Sequence, residues 1–223
     1  IVSLFHVSIS YFSLISARKS LENTVSCDER SNTGTVQNEF AILKRLRELD
    51  IPYAVRVMNE ISTETATGTP VIGMEMCGMS LKNMVTTLWT KKKSRVRDMT
   101  VVTRQIFQCL SKCHEMGIIH RDIKLENIML KSCEPLEIRI IDWGLARDMN
   151  TRDEKLSMGR AGTKYWRAPE MLMLDLKVPT ETREVGFSMY AAVDIWSTGI
   201  LIASMFLRGK NLFMPECNTK TKT

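Results

Sequence analysis

From Gln37 to Leu49 the run QNEFAILKRLREL sets Phe40, Leu43 and Leu46 three residues apart with charges between them. That spacing predicts an amphipathic helix from about Val36 to Leu49. Pro52 closes it, because the residue before a proline is driven out of the helical region. AVRVMNEI and TPVIGMEM then read as two strands, separated by a Thr-rich, glycine-containing turn at 62–69. Gly78 breaks the second run, and beyond it the period changes to that of helices. LKNMVTTLW is a short one. TVVTRQIFQCLSKCHEMG is long, with Val102, Ile106, Leu110 and Cys113 on one stripe and Gly117 as its C-terminal cap. NIML and EIRIIDW read as strands flanking a turn. The first 30 residues look β-rich and irregular, with alternation at Val7, Ile9 and Tyr11. The pattern predicts a β-rich front half carrying one helix, a mainly helical back half, and a seam near residues 76–80. There is no internal repeat.

Two apolar stretches invite a membrane reading, and both fail it. IVSLFHVSISYFSLI is broken by serines and a histidine, and its basic pair, Arg18–Lys19, follows the apolar run where a signal peptide would have it in front. AAVDIWSTGILIASMFL, at 191–207, carries Asp194 and falls short of a bilayer span, so a buried central helix is expected. Of 223 residues, 44% are apolar and 25% charged, enough for a sizeable globular core. The net charge of +6 favours an anionic partner without choosing among nucleotide, acidic protein and nucleic acid. The six cysteines include no CxxC and no zinc-like spacing, so they are read as reduced, in nucleus or cytoplasm. KKKSRVR, 91–97, is the one dense basic run and reads as a solvated loop between helices, with a nuclear-import or acidic-partner patch as the sharper alternative. It lacks interleaved aromatics, so direct nucleic-acid binding is not expected.

HRDIKLENIML, 120–130, gathers an acid, a lysine and an amide within six residues, and IIDWGLAR adds a further acid at the end of a β-like run. Phosphoryl transfer needs an oriented nucleophile, a divalent metal held against phosphates, and positive charge where negative charge develops. Asp122 can align a hydroxyl, and Lys124 can reach the transferring phosphate. Asn127 and Asp142 offer hard oxygens to Mg2+. Each alone is weak, since a lone acid on an apolar run is most often a capping residue.

HRDIKLEN resembles the catalytic loop of eukaryotic protein kinases in its serine/threonine form. IIDWGLAR resembles that family's magnesium-binding segment, with Trp143 where phenylalanine is usual. GTKYWRAPE, 162–170, is similar to the close of the activation loop, and VDIWSTG, 193–199, to the central helix whose acid braces the catalytic loop. The motifs fall in the family's order, with 20 residues from Asp122 to Asp142 and 28 from Asp142 to Glu170. The resemblance covers roughly 36–215. It implies an α+β, bilobal fold, with a front lobe over 1–77 (1–35 poorly matched) and a helical lobe over 78–223. It also implies transfer of a phosphoryl group from ATP, with Mg2+, to protein hydroxyls. Glu39 then matches the helix glutamate that pairs with an ATP-holding lysine, and Thr163 the threonine that bonds the catalytic Asp and Lys. By the same resemblance Met74 falls at the position that guards the adenine pocket, and Glu75 and Cys77 at the hinge. Leu43, His120 and Trp143 resemble members of an apolar spine, a role compatible with plain core. Arg121 would meet an activation-loop phosphate, for which Ser157 and, second, Thr151 offer acceptors.

RAGTKYWRAPEML and DIWSTGILIASMFLRGKNLFM most resemble the origin-firing cell-division-control kinase that works with a Dbf-type activator. Such a resemblance implies a role in the cell cycle or replication and an activating regulatory subunit. The absence of a long insert between Asp142 and Glu170, and the Asp-Trp-Gly known in casein-kinase-2-like enzymes, point away from it. Arg160, Lys164 and Arg167 crowd the segment expected to face the residue after the acceptor, which favours an acidic or phosphorylated neighbour; a phosphate-binding or solvated role is the alternative. No glycine precedes Gly34, so no Gly-rich loop is found. For the ATP-holding lysine, Lys19 lies 20 residues before Glu39, whereas the TVSCDE frame would put Asp28 there. The family's later helices, with the arginine that pairs with Glu170, have no counterpart, so the chain is expected to be truncated at both ends and a buried Glu170 to be costly. Two functions follow: an active kinase, or a pseudokinase that acts by binding.

Overall fold

The computed structural model describes residues 29–58, 62–63, 70–89, 95–150, 161–175 and 187–214. Lys19, Asp28, Thr151, Ser157, Arg160 and the Lys91–Ser94 half of the basic run lie outside these residues, as does all of the expected β-rich front up to residue 28.

Helix α1 spans Glu29–Glu48, starting seven residues ahead of the expected Val36. Its leading stretch ERSNTGT has no apolar residue, so hydrophobic spacing gives no signal there. Ile42, Leu43 and Leu46 are buried, and Phe40 packs against the same core. The helix ends before Pro52 is reached. Asp50 takes φ 47°, its N–H bonds the Arg47 carbonyl at 3.1 Å, and the Ile51 N–H bonds that of Leu46 at 3.0 Å. This is a Schellman ending, with Ile51 and Leu46 buried as its apolar contact.

The front half pairs antiparallel in pieces, and its first strand falls inside the stretch expected as a turn, because Ser62 and Thr63 extend the first run. β1, Ser62–Thr63, pairs with β2, Pro70–Val71, and Val57 bridges Met74. After the seam, Ser80 caps α2, Leu81–Asn83, which relaxes into a π-turn over Met84–Leu88 and closes with Trp89 N–H on the Met84 carbonyl at 3.0 Å. Helix α3 spans Arg95–Glu115 and buries Met99, Val102, Ile106, Cys109, Leu110 and Cys113. Arg95–Arg97 therefore form a first helical turn rather than a loop. Gly117 ends the helix at φ 76°, a conformation that favours glycine. The short strands β3, Ile118–Ile119, and β6, Arg147–Asp148, pair beneath it.

The hairpin β4, Ile128–Cys133, and β5, Leu136–Ile140, ties the halves together. Its β5 edge takes the front half, with Val55 N–H on the Ile140 carbonyl at 3.0 Å and Ile140 N–H on that of Tyr53 at 2.7 Å. Its β4 edge takes the seam, with Gly78 N–H on the Leu130 carbonyl at 2.7 Å and Leu130 N–H on that of Met79 at 2.9 Å. Helices α4, Pro169–Asp175, and α5, Phe187–Phe206, follow. Asp194, Thr198, Leu201, Ser204 and Met205 of α5 are fully buried, so it is the expected central helix. Among the described residues no helix is long and apolar enough to cross a membrane. Glu170, expected to be costly if buried, is only half-buried in the first turn of α4, where the helix dipole favours an acid.

Gln105 is the polar exception on the buried stripe of α3. Its amide bonds the Leu136 carbonyl at 2.8 Å, and its carbonyl accepts the Ile138 N–H at 2.9 Å, pinning the hairpin to the helix. Replacing it with leucine leaves a buried N–H unpaired. Gln105→Leu is expected to lower unfolding free energy by about 1–3 kcal/mol in urea titrations, despite its added apolar surface.

Candidate active site

The site is built on a buried carboxylate. Asp194, fully buried in α5, accepts the backbone N–H of Arg121 on Oδ1 at 2.8 Å and that of His120 on Oδ2 at 2.9 Å. His114 Nε2, from the last turn of α3, meets the same Oδ2 at 2.9 Å. These bonds hold Arg121 at φ 67°, a conformation that costs a non-glycine residue. Gly162 packs onto the turn so closely that a Cβ there would lie 2.6 Å from the Arg121 carbonyl oxygen. The loops bearing Asp122 and Thr163 are thereby pressed together.

His120 accepts the Asp122 N–H on Nδ1 at 3.2 Å and donates from Nε2 to the Ile141 carbonyl at 3.0 Å, which assigns the neutral Nε2-protonated tautomer. Its ring meets Trp143 edge-on at 4.5 Å. The Trp143 Nε1–H donates to the Ile140 carbonyl at 3.0 Å, so the buried indole is satisfied where phenylalanine would have no polar atom to satisfy. Leu43 joins Trp143 in the main core.

Around Asp122 the expected catalytic groups converge. Lys124 Nζ donates to Asp122 Oδ2 at 2.6 Å and to Thr163 Oγ1 at 2.9 Å. Thr163 donates its N–H at 2.9 Å and its hydroxyl at 2.8 Å to Asp122 Oδ1. Asn127 Nδ2 donates to the Asp122 carbonyl at 2.9 Å and to Oδ2 at 3.1 Å. Burial alone would raise the Asp122 carboxyl, but the Lys124 hydrogen bond and charge, aided by Thr163, outweigh it and hold it below its ordinary value. Such a group is a weak base and a good orienting acceptor.

Asn127 and Asp142 sit at one end of the hairpin. Ile128 pairs with Ile140, and the Ile141 N–H donates to the Asn127 carbonyl at 2.9 Å. With its amide nitrogen committed to Asp122, Asn127 keeps Oδ1 for a cation. Asp142 adopts φ 62°. A Cβ built on Gly144 would lie 3.5 Å from Glu39 Oε2 and 3.7 Å from Asp142 Oδ1, so the two carboxylates flank this glycine. Burial, then the Asp142 charge, pushes Glu39 up to about 7, against a stabilising bond from the Trp143 N–H. Two crowded acids and a free amide oxygen are a donor set suited to a hard divalent cation. Among the described residues no group of three or more His, Cys, Asp or Glu forms a metal cage.

Glu75 and Cys77 lie apart from this cluster, on the segment joining the halves. Cys77 is buried, and burial, then the Glu75 charge, pushes its thiol up to about 11. Met74 is half-buried against the core beside Val57. Two supporting residues escaped the sequence reading. Gln105 is legible afterwards as a polar residue on an apolar stripe. His114 carries no such signal, because its partner lies 80 residues away.

The family model described as the protein kinase domain matches residues 12–223. The chain belongs to the protein kinase domain family. The match is wider than the span over which motifs are legible, and the α+β kinase fold carries the helices and short antiparallel strands described above. The chain is also similar to a protein described as a probable casein kinase II subunit alpha homolog, from Encephalitozoon cuniculi (strain GB-M1). They are 35% identical over 124 residues, 55% of this chain and 34% of that protein. The match thus spans about a third of the curated relative's length.

Glu39 has a pH signature. In metal-free buffer its folded value of about 7 exceeds the ordinary glutamate value of 4.5, so between those pH values the folded state holds a proton that the unfolded state has lost. Stability then falls as pH rises from about 4.5 to about 7 and levels off above. Glu39→Gln is expected to remove a slope worth on the order of 3 kcal/mol, read from urea unfolding across that range.

Proposed function

We propose that the chain is a serine/threonine protein kinase that passes the γ-phosphoryl group of ATP to protein hydroxyls. The carrying observation is the Asp122–Lys124–Thr163–Asn127 cluster, bonded as a unit beside Asp142. In this reading Asp122 receives and aligns the acceptor hydroxyl. Its oxygens are already engaged by four donors, so the exposed Thr163 hydroxyl is the contact an incoming alcohol replaces. Lys124 neutralises charge on the transferring group. Asn127 and Asp142 hold Mg2+, which, when bound, screens the phosphate charges. Glu39 faces them and is ready to accept a lysine, for which Lys19 remains the proposed partner. The backbone of Glu75 and Cys77 reads adenine.

Asp-Trp-Gly and the likeness to the casein kinase II subunit alpha homolog favour a casein-kinase-II-like enzyme. The RAGTKYWRAPE run supports a second reading, an origin-firing kinase with a regulatory subunit and a role in replication. A pseudokinase is disfavoured, since a scaffold has no need of an intact aligning acid, cation and metal pair. The free thiols of Cys77, Cys109, Cys113 and Cys133 suit a reducing compartment, nucleus or cytoplasm.

Asp142→Asn is expected to abolish Mg2+-dependent ATP binding in calorimetry, and Asp122→Ala to keep binding while losing at least ~100-fold in kcat. ATP binding that survives Asp142→Asn would remove the metal role. Lys164, exposed, and Arg167, with Arg160, predict higher kcat/KM on Ser-Asp and Ser-Glu peptides than on Ser-Pro or Ser-Lys. Equal rates across that panel would end the charge argument.

A further inference from the structure

Residues 75–77 are held by backbone ladders at their two flanks and by side chains between. On the front flank Met58 N–H donates to the Gly73 carbonyl at 2.7 Å and Glu75 N–H to that of Arg56 at 2.9 Å. On the back flank Gly78 is fastened to β4. In the middle, the Glu75 carboxylate collects donors from three separate segments. Its Oε1 accepts the Arg56 N–H at 3.0 Å and Arg139 Nε at 2.8 Å, and its Oε2 accepts Lys131 Nζ at 2.8 Å. Lys131 Nζ also reaches the Met76 carbonyl at 3.3 Å. Arg139 is braced in turn by Glu137 Oε1 at 2.5 Å and the Ile138 carbonyl at 2.8 Å.

These are not ordinary surface pairs. The Glu75 and Arg139 side chains are 10% and 12% exposed and Lys131 33%, so solvent screens the contacts weakly. Burial opposes the Glu75 charge, yet Lys131 and Arg139 together keep its carboxyl below the ordinary range. The three charges come from the joining segment and from both strands of the hairpin, and the Arg56 N–H brings in the front half.

We propose that Glu75, Lys131 and Arg139 form an ionic latch that fixes residues 75–77 in the conformation whose backbone reads adenine, making Lys131 and Arg139 positioning residues for the nucleotide. This rests on the kinase reading above. Neither cation is assigned a contact with nucleotide or substrate. Each acts through Glu75 and the Met76 carbonyl, and apparent affinity falls by the fraction of molecules whose joining segment leaves that conformation.

The test compares Mg2+-ATP with Mg2+-tripolyphosphate, which offers the same phosphate chemistry without the adenine, on the full chain by calorimetry. Lys131→Met and, separately, Arg139→Gln are expected to weaken ATP binding about fivefold. Tripolyphosphate binding should stay within about twofold, and Lys131→Arg should restore ATP affinity. In turnover assays KM for ATP rises while kcat holds. The second variant guards against a folding failure in the first. Unchanged ATP affinity in both variants, or equal loss for both ligands, overturns the latch. Wild-type chain that binds neither ligand overturns the kinase reading and the latch with it, a result distinct from any variant effect.

Discussion

The structure depends on one buried negative charge. Asp194 sits in the middle of an otherwise uncharged helix, where an unpaired carboxylate would cost several kcal/mol, and it is tolerated because three N–H donors converge on it. Two of these donors are consecutive backbone groups of the loop that carries Asp122. The loop therefore has little choice of shape: releasing it strands the charge, and keeping it forces Arg121 into a left-handed turn. Strain at the site is balanced by electrostatics in the core.

The hairpin supplies the second constraint. One edge of it binds the front half and the other binds the seam, while its open end presents Asn127 and Asp142 and its outer face presents Lys131 and Arg139. Chemistry and inter-half geometry are thus referred to one rigid element, itself anchored to α3 through Gln105. A displacement of the front half must pass through the same two strands that position Asn127 and Asp142, the pair proposed to hold the metal.

Much of this was legible because it is local. The HRDIKLEN run lies within eight residues, so Asp122, Lys124 and Asn127 are legible as candidates from spacing and chemistry, and helix periodicity finds Leu43, Val102 and Leu110. What escaped is either without period or long in range. The first turns of α1 carry no apolar residue. His114 meets Asp194 across 80 residues, and Glu75 meets Arg139 across 64. A charged residue in a sequence declares its sign but not its partner. The family resemblance points to the backbone of Glu75, whereas the partners of its carboxylate, Lys131 and Arg139, are visible only in the fold.

The tryptophan after Asp142 carries one more consequence. A phenylalanine at that place could be withdrawn at the cost of its contacts alone. Trp143 must also give up its indole N–H bond to the Ile140 carbonyl, which keeps the Val55 N–H, and vacate a larger volume of the core. A protein so wedged has a poor off-position along that coordinate. Rearrangement of the front half is therefore expected to hinge elsewhere and to leave this ring in place.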